Sequence, residues 1–503
     1  MNFPSGQTLE ASALESDETL ECDAVVVGTG AGGATVAWQL AAAGWKVALL
    51  EEGKKWDPRE LKPRQSWALR NLYAERGLAM THGNTYVPLP RGRAVGGSTL
   101  LNSAICFRPP PRTMEVWQRD WGVEWADAAK LAPTVELIER TIGVTKTRED
   151  QAGKSSLTFK RGAEAIGLKG DFIMRNAPGC VGCGVCQLGC PVGAKGSVDR
   201  NMVPMALDHG AALFTRCRAT RVLVENGAAV GVEAWGVDPV TEERRRRLRV
   251  RAKKVFVCGG AIGTPLLLIA SGLFDTGLHT GLHLRVQPAL GVCARFEEII
   301  DPWHGATQGY WAPLEGDNAV LETYSATPDI FAISFDQYSR PIDHLRRLAA
   351  CGVVTGDTSE GSVGPGPAEG RSALGYNINE ADVGVLMRGQ REIARAFFAA
   401  GALEVHMSWA GHDPFKTLEA VDKAQAARPP IDRIAIYASH PMGTCRMAGK
   451  AGEGVVKPSG EHWQVKDLFV ADASIFPTAL GMNPQVTVMT AAATIAQGVA
   501  KSG

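Results

Sequence analysis

The chain lacks both an excess of charge and a long uninterrupted apolar run. Its 53 Lys and Arg residues balance 53 Asp and Glu residues, so nothing favours nucleic acid or an acidic membrane as a partner. The most apolar stretch, residues 255–273, is interrupted by four glycines and a proline, which predicts a strand, a turn and a helix instead of a membrane span. Residues 1–22 carry no apolar signal core, so we expect a cytoplasmic protein.

The densest basic stretch, residues 244–251, is mostly arginine. Arginine alternates with apolar residues toward its end, which predicts an exposed edge strand guarded by charge. The sequence therefore offers no nucleic-acid site here.

The length of 503 residues exceeds one ordinary core and predicts two lobes. The 57 glycines indicate many tight turns and close backbone approaches. Residues 352–370, rich in Gly, Ser and Pro, are predicted to form a loop.

A β-α-β unit is predicted near the N-terminus. A short apolar strand at 22–27 precedes a glycine-rich turn, an Ala-rich helix at 34–43 and a second strand at 46–50. This order is typical of the start of a doubly wound parallel sheet.

The turn carries the spacing of a dinucleotide site. Gly28 permits the sharp turn, Gly30 lets the backbone approach a pyrophosphate, and Gly33 lets helix and strand pack closely. Glu51, at the end of the second strand, can accept hydrogen bonds from an adenosine ribose. Nicotinamide and flavin cofactors both use this device, so the motif alone does not choose between them.

Three further segments choose between the two cofactors: residues 92–102, residues 260–273, and residues 440–447 with 470–474 and 483–485. In this order, and from end to end of the chain, they resemble the glucose–methanol–choline (GMC) oxidoreductase family, most of all bacterial members similar to long-chain alcohol oxidases. The resemblance implies FAD and the oxidation of alcohols. Residues 281–288 depart from the family's usual pattern, so the resemblance implies no contacts there.

The resemblance also assigns cofactor contacts to individual residues. Four would line the flavin, one would hold the adenine through its backbone, and two would meet the pyrophosphate and ribityl chain. In that order they are Gly96, Gly97, Ser98 and Asn102; Val222; and Asp472 and Ala473. Some members attach FAD covalently through a histidine just before the position of Asn102. Leu101 stands there, so we expect FAD to be non-covalent.

Alcohol oxidation needs a base for the hydroxyl proton and a group that holds the oxygen. His440 suits the base, since imidazole titrates near neutrality, and it matches the family's histidine beside the flavin. The partner position holds Asn483, which cannot be the base and would orient the substrate oxygen. Asn483 has a second interpretation, because Asn-Pro before the apolar run 486–496 is also typical of a helix N-cap.

Four cysteines at 180, 183, 186 and 190, followed by Pro191, match the bacterial ferredoxin spacing for iron–sulfur clusters. Cys180, Cys183, Cys186 and Cys190 could hold such a cluster, remain structural thiols or a disulfide, or bind zinc. A cluster would carry electrons to an electron-acceptor protein or a quinone. Without one, the reduced flavin could react with oxygen.

We therefore expect FAD-dependent oxidation of a hydrophobic alcohol to an aldehyde or ketone, with hydride transfer to flavin N5. Two alternatives stay open: a non-redox lyase or decarboxylase, as in some relatives, and a flavin/iron–sulfur electron-transfer module.

The expected fold is α/β: a Rossmann-like FAD-binding domain and a second, α+β substrate domain of antiparallel sheet and helices. The FAD domain would be discontinuous, drawn from residues 20–110, 196–290 and 426–503. The substrate domain would comprise 111–195 and 291–425, including the Cys-rich loop at 179–195.

Overall fold

The fold is known from a computed structural model that describes residues 1–325, 327–328 and 342–502. The α-helices of this part of the chain are α1 (Ala31–Ala42), α2 (Gln65–Asn71), α3 (Pro111–Trp121), α4 (Ala128–Ile142), α5 (Glu149–Ala165), α6 (Met202–Asp208), α7 (Gly260–Ala270), α8 (Glu380–Ala399), α9 (Leu418–Ala426) and α10 (Gln485–Ser502).

The strands are β1 (Thr8–Glu10), β2 (Glu18–Val27), β3 (Val47–Leu50), β4 (Thr81–His82), β5 (Thr145–Lys146), β6 (Asp171–Phe172), β7 (Met174–Arg175), β8 (Ala212–Thr215), β9 (Cys217–Glu225), β10 (Ala228–Val237), β11 (Arg244–Val257), β12 (Leu282–Leu284), β13 (Ala289–Arg295), β14 (Tyr310–Pro313), β15 (Ala319–Thr323), β16 (Leu348–Thr355), β17 (Gly361–Pro365), β18 (Ser372–Tyr376), β19 (Glu404–Met407) and β20 (Leu468–Val470).

A mainly parallel sheet forms the first layer, in the order β1-β8-β3-β2-β11-β10-β9, with β20 beside β11. Val25 faces Ala48 across β2 and β3, and Val26 faces Phe256 across β2 and β11. These central residues are fully buried, as expected for parallel strands covered on both faces. The predicted Rossmann-like α/β sheet is confirmed.

Helices α1 and α10 cover one face of this sheet. The first core joins buried residues of α1 and α10 with residues of α3 and α4, such as Trp117 and Ile138. Residues 111–142, which the sequence pattern assigned to the substrate domain, thus pack with the first core.

An antiparallel sheet forms the second layer, in the order β19-β13-β16-β15-β14-β6. Helices α5 and α8 pack against it in a separate core. Phe159 and Phe397 meet there edge to face, with ring centroids 5.5 Å apart. The predicted antiparallel sheet with helices is confirmed.

The segment predicted to be a loop at 352–370 contains strands. Residues up to Thr355 complete β16, and β17 pairs with β12 and β18 in a four-stranded sheet that also includes β4. Small residues at this position permit close strand approach, and pairing with distant strands overrides their weak local preference.

The arginine-rich strand is not at an edge. β11 pairs with β2 on one side, and with β10 and then β20 on the other. Its arginines instead meet carboxylates on neighbouring segments, for example Asp238, Glu369 and Glu225. Within the described ranges, no helix is long and apolar enough to cross a membrane.

Candidate active site

The glycine turn joins β2 to α1 with the geometry that the spacing predicts. Gly28 has φ 97°, and a Cβ on Gly33 would lie 1.9 Å from the Gly28 carbonyl oxygen. Gly30 is the N-cap of α1, where no side chain caps the helix, and a Cβ on it would meet nothing within 4 Å. The first-turn N–H groups of α1 therefore face open space, which suits a pyrophosphate.

Glu51 lies at the end of β3, directly beside the turn. Its carboxylate accepts hydrogen bonds from Thr29 N at 3.1 Å, Thr29 Oγ1 at 2.7 Å and Gly53 N at 2.8 Å. Burial raises the pKa of Glu51, although these three donors oppose the shift. The carboxylate is thus held by the turn itself, and its contact with a ribose stays a prediction.

Residues 96–97 pack over the same turn. Gly96 N donates to Thr29 Oγ1 at 3.1 Å, and a Cβ on Gly97 would lie 2.9 Å from Gly30 Cα. Ser98 Oγ accepts a hydrogen bond from Gly92 N at 3.0 Å. Two segments predicted from separate motifs to hold FAD are therefore adjacent in space.

Asn102 is committed to the protein at both ends of its amide. It donates to Gln485 Oε1 at 2.9 Å and accepts from Ala104 N at 3.0 Å. This contact fastens the segment at 96–102 to the first residue of α10. A direct flavin contact by Asn102 stays a prediction.

Asp472 binds backbone and side-chain groups within the protein. It accepts from Gly260 N at 2.8 Å and Ser474 N at 2.8 Å, and from the Thr264 hydroxyl. Burial raises its pKa against these donors. A Cβ on Gly32 would lie 2.0 Å from Ala471 O, so residues 471–473 lie against the first turn of α1. The predicted cofactor contacts of Asp472 and Ala473 would be made from this position.

Val222 stands in β9, where its N–H donates to Ser271 Oγ at 2.9 Å. The strand approaches Glu51 at Cys217, whose N–H donates to Glu51 O at 2.8 Å. Val222 lies five residues further along, roughly 16 Å for an extended strand. Its N–H is thus occupied, and its predicted adenine contact remains untested.

His440 and Asn483 come together from segments far apart in the chain. Asn483 Nδ2 lies 3.3 Å from His440 Nε2. His440 Nδ1 and Asn483 Oδ1 are buried and have no hydrogen-bond partner among the described residues. Burial lowers the pKa of His440 to about 4, so the imidazole is neutral at physiological pH and can accept a proton.

The capping interpretation of Asn483 is wrong. Helix α10 begins at Gln485, and its first backbone hydrogen bond runs from Val488 N to the Pro484 carbonyl. An N-cap role would need Asn483 Oδ1 to accept a helix N–H, but Oδ1 has no such partner. The side chain points toward His440 instead.

Residues 281–288 do approach this site despite their departure from the family pattern. Gln287 has φ 51°, its Nε2 donates to Met482 O at 3.0 Å, and its Oε1 accepts from Gly481 N. Asp357 accepts from the Val286 and Gln287 N–H groups. The segment thus fixes the chain just before Asn483.

Glu322 belongs to the site and was not predicted. It is 2% exposed, and Gln308 Nε2 donates to its Oε2 at 2.8 Å. Burial raises its pKa to about 7, while contacts with Gln308 and Asn483 oppose the shift. The sequence offered one clue: Glu322 is a lone carboxylate directly after the apolar run 319–321. All of strand β15 is buried, and an acid is rarely buried without a partner or a role.

The Cys-rich loop lies against the segment at 100–103. Cys180, Cys183, Cys186 and Cys190 line one small cavity with Arg175 and Lys195. None of the four is in a disulfide. Burial opposes ionisation of Cys186, but Arg175 and Lys195 outweigh it and hold its pKa below the usual value. Among the described residues, no three His, Cys, Asp or Glu side chains are grouped to hold a metal ion.

The residues present fit FAD. The open N-terminus of α1, the glycine cradle formed with Gly97, and the buried polar atoms of His440 and Asn483 are all features that a flavin dinucleotide with its substrate would complete. They are brought together because residues 443–447 pair with 473–475: Gly443 N donates to Ala473 O at 3.2 Å and Cys445 N donates to Ser474 O at 2.8 Å.

Comparison with known proteins agrees with this geometry. Family models described as GMC oxidoreductase match residues 69–289 and 358–492. An uncharacterized GMC-type oxidoreductase of Mycobacterium tuberculosis is 34% identical over 99% of this chain and 79% of its own length. The long-chain-alcohol oxidase FAO3 of Arabidopsis thaliana is 30% identical over 96% of this chain and 68% of its own length.

Among solved structures, a pyridoxine 4-oxidase from Mesorbium loti shares the fold, with a TM-score of 0.71 and 19% identity over 95% of this chain and 99% of its own. The chain therefore belongs to the GMC oxidoreductase family and is an FAD-dependent oxidoreductase that acts on CH–OH groups.

Proposed function

We propose that the protein oxidises a hydrophobic alcohol to an aldehyde or ketone, with His440 as the base, Asn483 as the group that holds the substrate oxygen, and FAD bound without a covalent link. The observation that carries the proposal is the 3.3 Å pairing of His440 Nε2 with Asn483 Nδ2 beside two unpaired buried atoms. Leu101 supports non-covalent FAD, because leucine cannot form the histidyl bond.

Bound FAD supplies the acceptor for the hydride, at N5 of the flavin. The chain's own residues handle the proton. An alcohol oxygen within reach of both Asn483 Nδ2 and His440 Nε2 would accept a hydrogen bond from the amide and donate its proton to the imidazole. Since the pKa of His440 is lowered to about 4, the ring is available as a base across the neutral range.

Glu322 is proposed as a positioning residue for Asn483. An amide can turn over and present either its oxygen or its nitrogen to the substrate. The Glu322 carboxylate beside Asn483 favours the orientation in which Nδ2 faces inward as a donor. Glu322 thus acts through Asn483 and needs no contact with the substrate.

A hydrophobic substrate is supported by the surroundings of Glu322. Its cross-strand partner is Gly352, where a Cβ would lie 2.5 Å from the Tyr437 hydroxyl and 3.8 Å from the Tyr324 ring. Aromatic surface around few polar groups suits an apolar alcohol, and a relative at 30% identity is named for long-chain alcohols.

The test is anaerobic mixing of the flavin-loaded protein with long-chain, aromatic and sterol alcohols, followed at the flavin absorbance. Bleaching by at least one apolar alcohol is expected. His440→Ala should slow bleaching about 100- to 10,000-fold while retaining flavin. The matched control is His462→Gln, another buried histidine whose pKa is lowered by burial, which should bleach at the parent rate.

Absence of bleaching across the alcohol panel would contradict the proposal and favour a lyase or decarboxylase. Equal rates for His440→Ala and the parent would show that His440 is not the base.

A further inference from the structure

We propose that one face of this protein binds the surface of an anionic lipid bilayer. The face comprises a hairpin at residues 78–88 and the outer side of the four-stranded sheet β12-β17-β18-β4, and we call it the hairpin face. The assignment adds a binding partner to the protein and goes beyond the oxidation of an alcohol.

The hairpin is firmly anchored to the fold. Thr81 N donates to Val87 O at 3.0 Å across its two strands, and the inward-facing Val87 and Leu89 are fully buried. At its tip, Asn84 Nδ2 donates to Ile378 O at 2.8 Å, and Asn84 Oδ1 accepts from Ile378 N at 3.0 Å. The side chains on its outer side are therefore held in solvent by a fixed backbone.

Three large apolar side chains project outward from the hairpin. Leu78 is 74% exposed, Tyr86 is 64% exposed and Met80 is 44% exposed. Single exposed apolar residues are common, but a group of this size on one short hairpin indicates an interaction surface. Leucine and tyrosine are also side chains that enter the boundary between lipid headgroups and acyl chains.

The backbone before Leu78 adopts an unfavourable conformation. Glu75 and Arg76 have φ angles of 50° and 57°, in the left-handed region that residues other than glycine rarely adopt. Glu75 is held there by an ion pair with Arg91 at 3.1 Å and by a hydrogen bond from Ser372 Oγ at 2.7 Å. Strain of this kind clusters at functional sites, and here it turns Leu78 out to solvent.

The outer side of the sheet continues the hairpin face. Leu282, Ser362, Gly375 and His82 lie opposite one another on the four strands, and opposite residues project from the same side of a sheet. Leu282 is 44% exposed, and His82 is exposed. Gly364 lies two residues from Ser362 and thus on the same side, and a Cβ on it would meet nothing within 4 Å. Small uncharged residues therefore leave a flat, open area between Leu282 and the hairpin.

The hairpin face is bordered by basic residues. Residues 61–90 contain four Lys or Arg residues and one acid, Glu75, whose side chain is only 7% exposed and is paired. The four cations are all exposed: Lys62, Arg64, Arg70 and Arg76. A Cβ on Gly77 would lie 2.5 Å from Leu69 Cδ2, so helix α2, which carries Arg70, packs beside the start of the hairpin.

This local excess of positive charge complements anionic headgroups. The charge balance of the whole chain, from which the sequence predicted no acidic membrane partner, conceals it because the compensating carboxylates lie outside residues 61–90. Apolar side chains bordered by exposed cations are the combination that binds proteins to the surface of a bilayer.

A second copy of the chain fits the hairpin face less well. Met80 is bridged to Pro88, so the outer strand of the hairpin carries Pro88 and Pro90, which have no N–H group with which to extend a sheet. A symmetric dimer through this face would also bring its two basic borders together, and like charges repel. A lipid surface satisfies both the apolar side chains and the cations.

The first experiment measures sedimentation of the flavin-loaded, full-length protein with lipid vesicles. With about one-quarter phosphatidylglycerol in phosphatidylcholine, binding should be at least about ten-fold tighter than with phosphatidylcholine alone. Raising the salt concentration from about 0.1 M to about 0.5 M should weaken binding several-fold, because salt screens the cations. No binding to the anionic vesicles, or equal binding to both kinds, would overturn the proposal.

The apolar contribution is tested by Leu78→Glu, with Val240→Glu as the matched control. Val240 is 80% exposed and lies between β10 and β11, outside the hairpin face. Leu78→Glu should bind anionic vesicles at least about ten-fold more weakly than the parent, whereas Val240→Glu should stay within about two-fold of it. Both should keep their flavin. Parent-like vesicle binding by Leu78→Glu would show that this face is not the lipid-binding one.

The basic border is tested by combining Arg70→Gln with Arg76→Gln. The matched control combines Arg119→Gln with Arg148→Gln, at two arginines whose side chains are 71% and 63% exposed. The first double variant should bind anionic vesicles several-fold more weakly and lose most of its salt dependence, whereas the control should match the parent. Equal binding by the two double variants would contradict the role of the basic border.

Sedimentation velocity without lipid tests for a second copy on the hairpin face. The parent and Leu78→Glu should have the same oligomeric state. A parent dimer that Leu78→Glu dissociates would assign the face to self-association and overturn the proposal.

One further readout rests on the proposed alcohol oxidation. A bilayer dissolves an apolar alcohol, so Leu78→Glu should slow flavin bleaching by alcohol held in anionic vesicles at least about five-fold. The same alcohol delivered by cyclodextrin should bleach the parent and the variant at equal rates. If no alcohol bleaches the parent, the proposed oxidation fails, and vesicle sedimentation still decides the hairpin face.

Discussion

Glu322 is a buried carboxyl group that accepts a hydrogen bond from the neutral amide of Gln308 and lies near the amide of Asn483. Its pKa is raised to about 7 from an ordinary value near 4.5. If its carboxylate orients Asn483, alcohol-dependent flavin reduction should speed up as pH rises through about 7. Glu322→Gln should abolish that step in the pH profile and lower the plateau rate. A profile that keeps its inflection near pH 7 in Glu322→Gln would assign the step to another group.

The same raised pKa predicts an effect on stability with the opposite direction. The folded protein holds the Glu322 proton between about pH 4.5 and 7, where the unfolded chain has lost it. The contribution is therefore present below pH 4.5 and is lost as pH rises to 7. Relative to the parent, Glu322→Gln should gain stability from pH 5 to pH 8, by about 1–3 kcal/mol in urea unfolding. Glu419→Gln, at an exposed position, should follow the parent throughout.

A site residue could be predicted from the sequence when a contiguous motif identifies it, and not when its role depends on contacts with distant segments. His440 could be predicted because a proton-accepting side chain sits inside a contiguous motif. Glu322 could not, because its role depends on β15 lying beside Asn483, a contact between residues 161 apart in the chain. Asn483 offered a local interpretation as a cap, and only the path of the chain from Gln287 to Pro484 shows that its side chain turns to His440.

At the scale of elements, two glycines of the turn between β2 and α1 have different roles: Gly30 serves cofactor binding, and Gly33 serves folding as well. Gly30 has an ordinary φ of −69° and free space around its Cβ position, so Gly30→Ala should fold normally but block the approach of the pyrophosphate. Its FAD affinity should fall at least ten-fold in a fluorescence titration, with an unchanged circular dichroism spectrum. Gly33→Ala, whose Cβ would meet Gly28 O at 1.9 Å, should lose stability as well.

The control for both variants is Gly498→Ala in α10, an exposed helical glycine with nothing within 4 Å of its Cβ position. It should bind FAD normally and gain up to about 1 kcal/mol of stability from the higher helix propensity of alanine. Normal FAD affinity in Gly30→Ala would show that the pyrophosphate does not lie at this turn.

Elements with strong local patterns were predictable. The strand, turn, helix and strand from β2 to β3 were expected within four residues of their observed ends. By contrast, β17 could not be predicted from the composition of residues 352–370, because its pairing with β12 and β18 supplies what its own residues lack. The arginines of β11 were likewise misjudged, since their acidic partners come from other segments.

At the scale of the molecule, FAD should act as a structural link. The cofactor would bridge residues 28–33, 96–102 and 471–473, which belong to distant parts of the chain. FAD at about 1,000 times its dissociation constant should stabilise the fold by about 4 kcal/mol, seen as a rise of several degrees in the melting temperature. FMN lacks the adenosine that Glu51 would hold and should raise it less. Equal rises in melting temperature with FMN and FAD would show that Glu51 does not hold the adenosine.

The meeting of the glycine turn with residues 471–473 has a consequence for biosynthesis. Ala471 O, which packs against Gly32, leaves the ribosome more than 400 residues after the turn. At common elongation rates of roughly 5–20 residues per second, at least about 20 seconds pass between synthesis of the turn and synthesis of residues 471–473, which pack against it. A chain that stops before residue 471 would therefore be unable to retain flavin, and the yellow colour of a preparation reports that residues 471–473 were made.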